Sequence, residues 1–286
     1  MLDNSMMRHS VGLALILACS PVPAAFSQPV SPVSADSTYA DIVDLADVST
    51  LVLHARIRKQ IELEPERSPG VAAGFVRLYI EADTVALLAG NAPVGESVRY
   101  LVDVPRNAKG RAPKLKKNEV LLFARPVTGR IGEIQLVGSG AQMPWSPALE
   151  LRVRPILASM VAADAPPVVN GVRDALSVNG NLVGESETQI FLSTKRDGPV
   201  SLTVIRRPGQ APEWGVSWTE IVDQAARPPA RDTLEWYRLA CFLPAALPGA
   251  ANLSREAGSR AQAADDYRFV ISSLGPCERN RLVSAG

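Results

Sequence analysis

Histidine is almost missing from this chain: it has two in 286 residues, and only His54 lies beyond the first thirty. A Ser-His-Asp or Cys-His nucleophile would therefore have to be built on that one imidazole. Cysteine is nearly as scarce, with Cys19, Cys241 and Cys277 and no C-x-x-C spacing, so a structural zinc site lacks its ligands. Aromatic residues make up 5%, and 30 basic residues face 29 acidic ones. That balance excludes a global pull toward nucleic acid or a membrane surface, so any charge-driven contact must come from a local patch. Phosphate-loop, dinucleotide, zinc-protease and EF-hand spacings are absent, and neither a cofactor nor a metal is expected. The run "VGLALILA" (11–18) is too short to cross a bilayer, which takes about 20 residues, and nothing after it is apolar enough.

The N-terminus carries the pattern of an export signal. Arg8 and His9 precede that apolar run, and "CSPVPAAFSQ" follows it with small residues. Ala25 and Ser27 stand three and one residues before a cut preceding Gln28, which makes 1–27 a signal peptide. A second processing outcome fits the same stretch: Ile16, Leu17 and Ala18 before Cys19 resemble a lipoprotein signal, and acylated Cys19 would anchor the protein to a membrane. Either outcome places the mature chain in a periplasmic or secreted setting. An oxidising compartment favours a bond between the two remaining cysteines, Cys241 and Cys277, adding about 3–4 kcal/mol by constraining the unfolded chain.

Beyond the signal, 28–38 is a proline- and serine-rich tether. In 39–142, "YADIVDLADVS" begins with one helical turn, and period-2 alternation follows. Leu51, Leu53, Ala55 and Ile57 share one strand face, with His54, Arg56 and Arg58 on the outward, solvated one. "FVRLYIEADTVALL", "ESVRYLVDVP", "NEVLLFARPV" and "GEIQLVG" repeat the pattern. Five strands between Gly/Pro turns predict a small antiparallel β-barrel or sandwich. Residues 143–167 read as a connecting helix and linker on the spacing of Leu149, Val153, Ile156, Leu157 and Met160, with Pro155 predicting a kink or a late start. In 168–286 a hairpin turns at Asp197-Gly198, and "EWGVSW" is a further strand. Two helices finish the chain, one with a capping-box spacing from Asp232 to Glu235 and an end at Pro244, the other stopped by Gly275-Pro276. The fold class is α+β.

Residues 40–140 resemble an OB-like barrel of exported bacterial proteins, in the "AD" turn (Ala46, Asp47), a strand ending "LLAG" (Leu87 to Gly90) and "VLLFARPV" (Val120 to Val127). That likeness implies a fold and no activity. The combination of "GESETQIFLST", "RRPGQAPEWGVS" and "LEWYRLACF" resembles a family of exported bacterial envelope proteins to which no activity is assigned. It implies export and a two-part layout, and no catalytic residue or ligand.

Three groups of side chains remain as candidates. Arg106, Lys109, Arg111, Lys114, Lys116 and Lys117 share one stretch without an acid. They read either as a solvated hairpin loop or as a dock for anionic envelope lipid or an acidic protein. Nucleic acid is excluded, because no aromatic is interleaved for base stacking. Glu185 and Glu187, two apart, would share a strand face and could serve glycan hydrolysis; Ser186 between them fails the G-x-S-x-G pattern. Trp214, Trp218, Trp236 and Tyr237 fit either a ligand groove or core anchors. The expected function is a non-enzymatic binding or scaffold module of the envelope, with no catalytic residue. The alternatives are a carboxylate hydrolase acting on envelope glycans and an outer-membrane lipoprotein touching anionic headgroups.

Overall fold

The computed structural model describes residues 37–90, 93–195, 198–219 and 226–280. The signal segment, Cys19, most of the tether and Asp197 lie outside the described residues.

The chain enters through α1 (Tyr39–Val48), nearly three helical turns where one was expected. Its start is a capping box: Thr38 Oγ1 accepts from Asp41 N at 3.1 Å, and Asp41 Oδ2 accepts from Thr38 N at 2.9 Å. Ile42, Val43 and Leu45 then give it an apolar face to bury. Ala46 and Asp47, which the barrel likeness assigns to a turn, sit in its last turn.

A first sheet follows, built from β1 (Leu51–Glu62), β2 (Phe75–Ala89), β3 (Ser97–Pro105), β4 (Glu119–Pro126), β5 (Ile134–Leu136) and β6 (Gln142–Pro144). Its order is β3-β2-β1-β4-β5, with β6 also paired to β4, and every ladder is antiparallel. The alternation read from sequence is real: Leu51, Leu53, Ala55 and Ile57 meet Val76, Leu78, Ile80 and Ala82 in one core. The opposite faces of β1 and β4, carrying Val52, Leu121 and Phe123, enter a second core with α1 and the later helices. β4 is thus buried on both faces, which is why it reads as a continuous apolar run. The two ends of the sheet approach each other at Arg99, whose N–H donates to Gly132 O at 2.8 Å beside one parallel bridge to Glu133. One bridge is not a ladder, and no closed barrel is formed.

The segment read as a connecting helix is α2 (Pro147–Val161), and it starts early. Ser146 caps it, accepting from Leu149 N at 3.1 Å, and Pro147 occupies the first turn, where no N–H is missed. The helix continues through Pro155, which lies on its exposed side and forgoes one backbone bond.

A second sheet has the order β10-β9-β8-β7, from β7 (Val169–Asn179), β8 (Ser186–Thr194), β9 (Val200–Arg206) and β10 (Glu213–Ser217). β8 and β9 form the expected hairpin. One face of the sheet packs on α4 (Ala257–Leu274), and α3 (Leu234–Ala240) packs on α4 and α2 in the same core. The cap of α3 is Thr233, which accepts from Trp236 N at 3.2 Å. Asp232, expected in that role, sits one residue too early in the left-handed region (φ 58°). α3 stops at Ala240, short of Pro244, while α4 stops where Gly275 turns at φ 70°. The architecture is α+β, with two antiparallel sheets and four α-helices among the described residues.

Candidate functional site: a braced basic loop and its neighbours

The basic stretch connects β3 to β4, which do not pair with each other, so it is a crossing connection and not a hairpin. Its backbone is held at three places. Asn107 Oδ1 accepts from Lys109 N (2.9 Å) and Arg111 N (3.1 Å), closing a local turn. Gln60 of β1 accepts from Leu115 N at 2.6 Å and Lys116 N at 3.2 Å through its carbonyl, and donates to Pro113 O at 2.9 Å. Lys117 N then donates to Ile57 O at 2.7 Å, with Lys117 in the left-handed region (φ 75°). Ala112 and Leu115 turn inward onto the first core. Lys109, Arg111, Lys114, Lys116 and Lys117 are exposed, and among the described residues none of the five forms an ion pair. Arg106 differs, pairing with Glu62 at 3.0 Å and donating to Gly110 O. The structure therefore presents five cations on a shaped loop.

His54 occupies a different setting from the solvated one expected. It is 6% exposed, because α2 and the turn before it cover this part of β1. Trp145 stacks on the imidazole, centroids 4.4 Å apart and planes within 6°. Nε2 lies 2.9 Å from Glu119 Oε2, and Nδ1 lies 3.8 Å from Glu150 Oε2. Nε2 is hydrogen-bonded to Glu119, and Nδ1 faces Glu150 beyond hydrogen-bond distance. Arg56 donates to Glu119, while Trp145 Nε1 (2.6 Å) and Arg154 donate to Glu150. The Arg56 guanidinium, followed by His54, holds the Glu119 carboxyl below the usual range; the Trp145 N–H, followed by Arg154, does the same for Glu150.

A group with a depressed folded pKa contributes stability above its unfolded value, near 4.3 for Glu, and loses it as pH falls through the lower folded value. Stability is expected to drop as pH falls below about 4.3. Trp145→Phe keeps a ring for His54 but removes the N–H. It should be less stable than the wild type at pH 7, with the gap narrowing once Glu150 is protonated. Urea denaturation of both proteins across that pH range checks this, and a gap independent of pH would contradict it.

The cysteines are bonded, with Cα atoms 5.1 Å apart; Cys241 caps the C-terminus of α3 and Cys277 follows α4. Beside the bond, α1 carries Asp41, Asp44 and Asp47 on one face. Tyr237 OH donates to Asp44 Oδ1 at 2.5 Å, Arg279 donates to both oxygens of Asp44, and Arg238 makes a two-pronged pair with Asp47 at 2.8 and 3.0 Å. Burial, then Asp44, pushes the Tyr237 phenol up. This row of aspartates fastens the first helix to the last described residues, a contact that no local pattern announces.

The other candidates are placed as follows. Glu185 lies in the β7–β8 connection and accepts from Leu182 N at 3.2 Å; Glu187 lies in β8, exposed, and accepts from Gln189 at 2.7 Å. The two carboxylates bond different partners. Trp214 and Trp236 are core anchors, donating to Ser273 Oγ and Leu274 O, and Tyr237 is buried beside them. Trp218 is half-buried at the edge of the same core.

A cavity of about 440 Å³ lies among α1, α2 and the turn into α3, lined by Tyr39, Arg152, Ile156, Asp232 and Leu234. Arg152 donates to Ser37 O there, and burial, then Asp232, pushes the Tyr39 phenol up to about 12. Among the described residues no cluster of three or more His, Cys, Asp or Glu could hold a metal ion. No helix among them is long and apolar enough to cross a membrane.

No protein-family model matches this chain, and no curated protein matches it. The geometry alone must carry the functional reading.

Proposed function

We propose that this is a non-enzymatic binding module of the bacterial cell envelope that docks on anionic lipid headgroups through the loop 106–117. The observation that carries the reading is the braced loop: five exposed cations on a backbone fixed by Asn107, Gln60 and the Ile57–Lys117 bond. A loop ordered before binding spends less entropy on docking than a free one. The signal-like N-terminus supports export, and acylation at Cys19 would keep the protein at a membrane surface. The first sheet supports an OB-like reading as well. What supports it is the strand order β3-β2-β1-β4-β5 together with the single parallel bridge from Arg99 of β3 to Glu133, just before β5.

Flotation with vesicles of phosphatidylglycerol and phosphatidylcholine, against phosphatidylcholine alone, tests it. The wild type should bind only the anionic vesicles and less well as salt rises. Each lysine near an anionic surface contributes about 1 kcal/mol. The triple reversal Lys114→Glu, Lys116→Glu, Lys117→Glu should therefore weaken binding about a hundredfold or more. Vesicle binding that the triple variant retains in full would refute the reading.

A further inference from the structure

A second cavity, of about 430 Å³, opens between the β7–β8 connection and the first half of α4, with Asn179, Asn181, Leu182, Glu185, Ser186 and Gln262 in its wall. Its chemistry is one-sided: no lysine or arginine lines it. Glu185 brings a carboxylate and the two asparagines bring carboxamides. Gln262 spends its amide N–H on Asp266 Oδ1 at 2.9 Å, which leaves its carbonyl oxygen to accept. Ser186 is 5% exposed, and its Oγ is buried without a hydrogen-bond partner. Along β8, Ser186, Thr188 and Ile190 alternate onto the α4 side of the sheet, where Gln262 stands, so the hydroxyl turns toward the cavity's inner wall. A buried hydroxyl without a partner is a standing cost that a ligand able to bond it would relieve.

The wall is also held rigid from behind. Asp266 of α4 is fully buried and accepts from Thr188 Oγ1 at 2.5 Å and Arg206 Nε at 2.6 Å as well as from Gln262. Ser177 Oγ lies 2.9 Å from Thr188 Oγ1, and the Ser177 backbone N–H donates to Ser254 Oγ at 3.0 Å. This buried chain fixes Gln262 before any ligand arrives.

We infer that the cavity is a binding site for a neutral polyhydroxyl ligand, one or two sugar units of a glycan. Sugar hydroxyls are donors that match an acceptor-rich wall, and the exposed Leu182 and Val183 offer apolar surface to the C–H face of a ring. The missing cation argues against phosphate- or carboxylate-bearing ligands. One carboxylate is too few for a hard cation such as calcium, which takes six to eight oxygens, several of them charged. The cavity's volume falls within the range of small-ligand sites. The inference is independent of docking by loop 106–117 and can fail without it.

The test is amide NMR of the full mature chain titrated separately with maltose, cellobiose, chitobiose, calcium chloride and inorganic phosphate. At least one disaccharide should give saturable shifts confined to Asn179–Ser186 and the turn of α4 around Gln262, with a Kd on the order of millimolar, since no aromatic platform is present. Asn181→Ala, in an exposed loop, should weaken that binding about tenfold, the effect of about one hydrogen bond. Ser186→Ala should weaken it similarly while leaving the melting temperature unchanged or higher, because it removes an unbonded buried hydroxyl. Absence of saturable shifts with any sugar, shifts centred elsewhere, or full binding by both variants would overturn the inference. Calcium or phosphate moving these amides where sugars do not would overturn it too, and would assign the cavity to an ion.

Discussion

Replacing both bonded cysteines, Cys241→Ser with Cys277→Ser, is expected to lower stability by about 4 kcal/mol and the melting temperature by about 10 °C. The bond joins residues 36 apart, and closing a loop of that length removes this much entropy from the unfolded chain. The folded side adds to the effect. Cys241 ends α3 and Cys277 stands just beyond α4, so the bond ties the two helices that bury Trp236, Tyr237, Tyr267 and Leu274. It also holds Arg279, two residues on, against Asp44 of α1. Two results in urea denaturation would mark this mechanism. The unfolding slope m should rise, because the open chain exposes more surface, and Arg279→Ala should cost less in the double-serine protein than in the wild type. Equal stability of the wild type with and without reductant would show that the bond adds nothing.

Asp266→Ala carries the next largest effect, a loss of about 3 kcal/mol. This carboxylate has no exposure and is the common acceptor of Thr188, Gln262 and Arg206. Truncation takes one acceptor from the buried Thr188 hydroxyl, which keeps only Ser177 Oγ, frees the part-buried Gln262 N–H, and strands a guanidinium. Because 29% of the Arg206 side chain reaches solvent, water screens part of that charge, which puts the cost at the low end of the range for breaking buried pairs. Asp266→Asn should lose about half as much, as it keeps an acceptor oxygen and gives up the charge. Adding Arg206→Ala to Asp266→Ala should cost less than the sum of the two single changes, since the two residues share one interaction. Chemical denaturation of the four proteins measures this. Additive losses would mean that the pair is not coupled.

The two motifs with strict local grammar were legible in advance. Leu51, Leu53, Ala55 and Ile57 of β1 read as one face because strand side chains alternate whatever they pack against. The β8–β9 hairpin read from its β-rich runs for the same reason. α1 was underestimated because its capping box, Thr38 with Asp41, uses an aspartate where glutamate or glutamine is usual. α2 was expected to kink or to start late because Pro155 is disruptive in isolation. On the exposed side of a helix already anchored by Ser146, Val153 and Ile156, it costs one hydrogen bond and the helix survives. His54 was misplaced because alternation says which face a residue takes and not whether another element covers that face.

The amino-acid sequence by itself determined the strand faces, the cysteine pair, the run of cations from Arg106 to Lys117, and the scarcity of histidine. These are properties of residue type, spacing and local backbone preference. Tertiary structure alone decided the rest. It encloses His54 between Glu119, Glu150 and Trp145, grips the aspartates of α1 with Arg238 and Arg279, and sets Ser186 and Gln262 around one cavity. The partners in each case lie scores of residues apart, and their meeting follows from the summed burial of two sheets and four helices, which no short window of sequence contains.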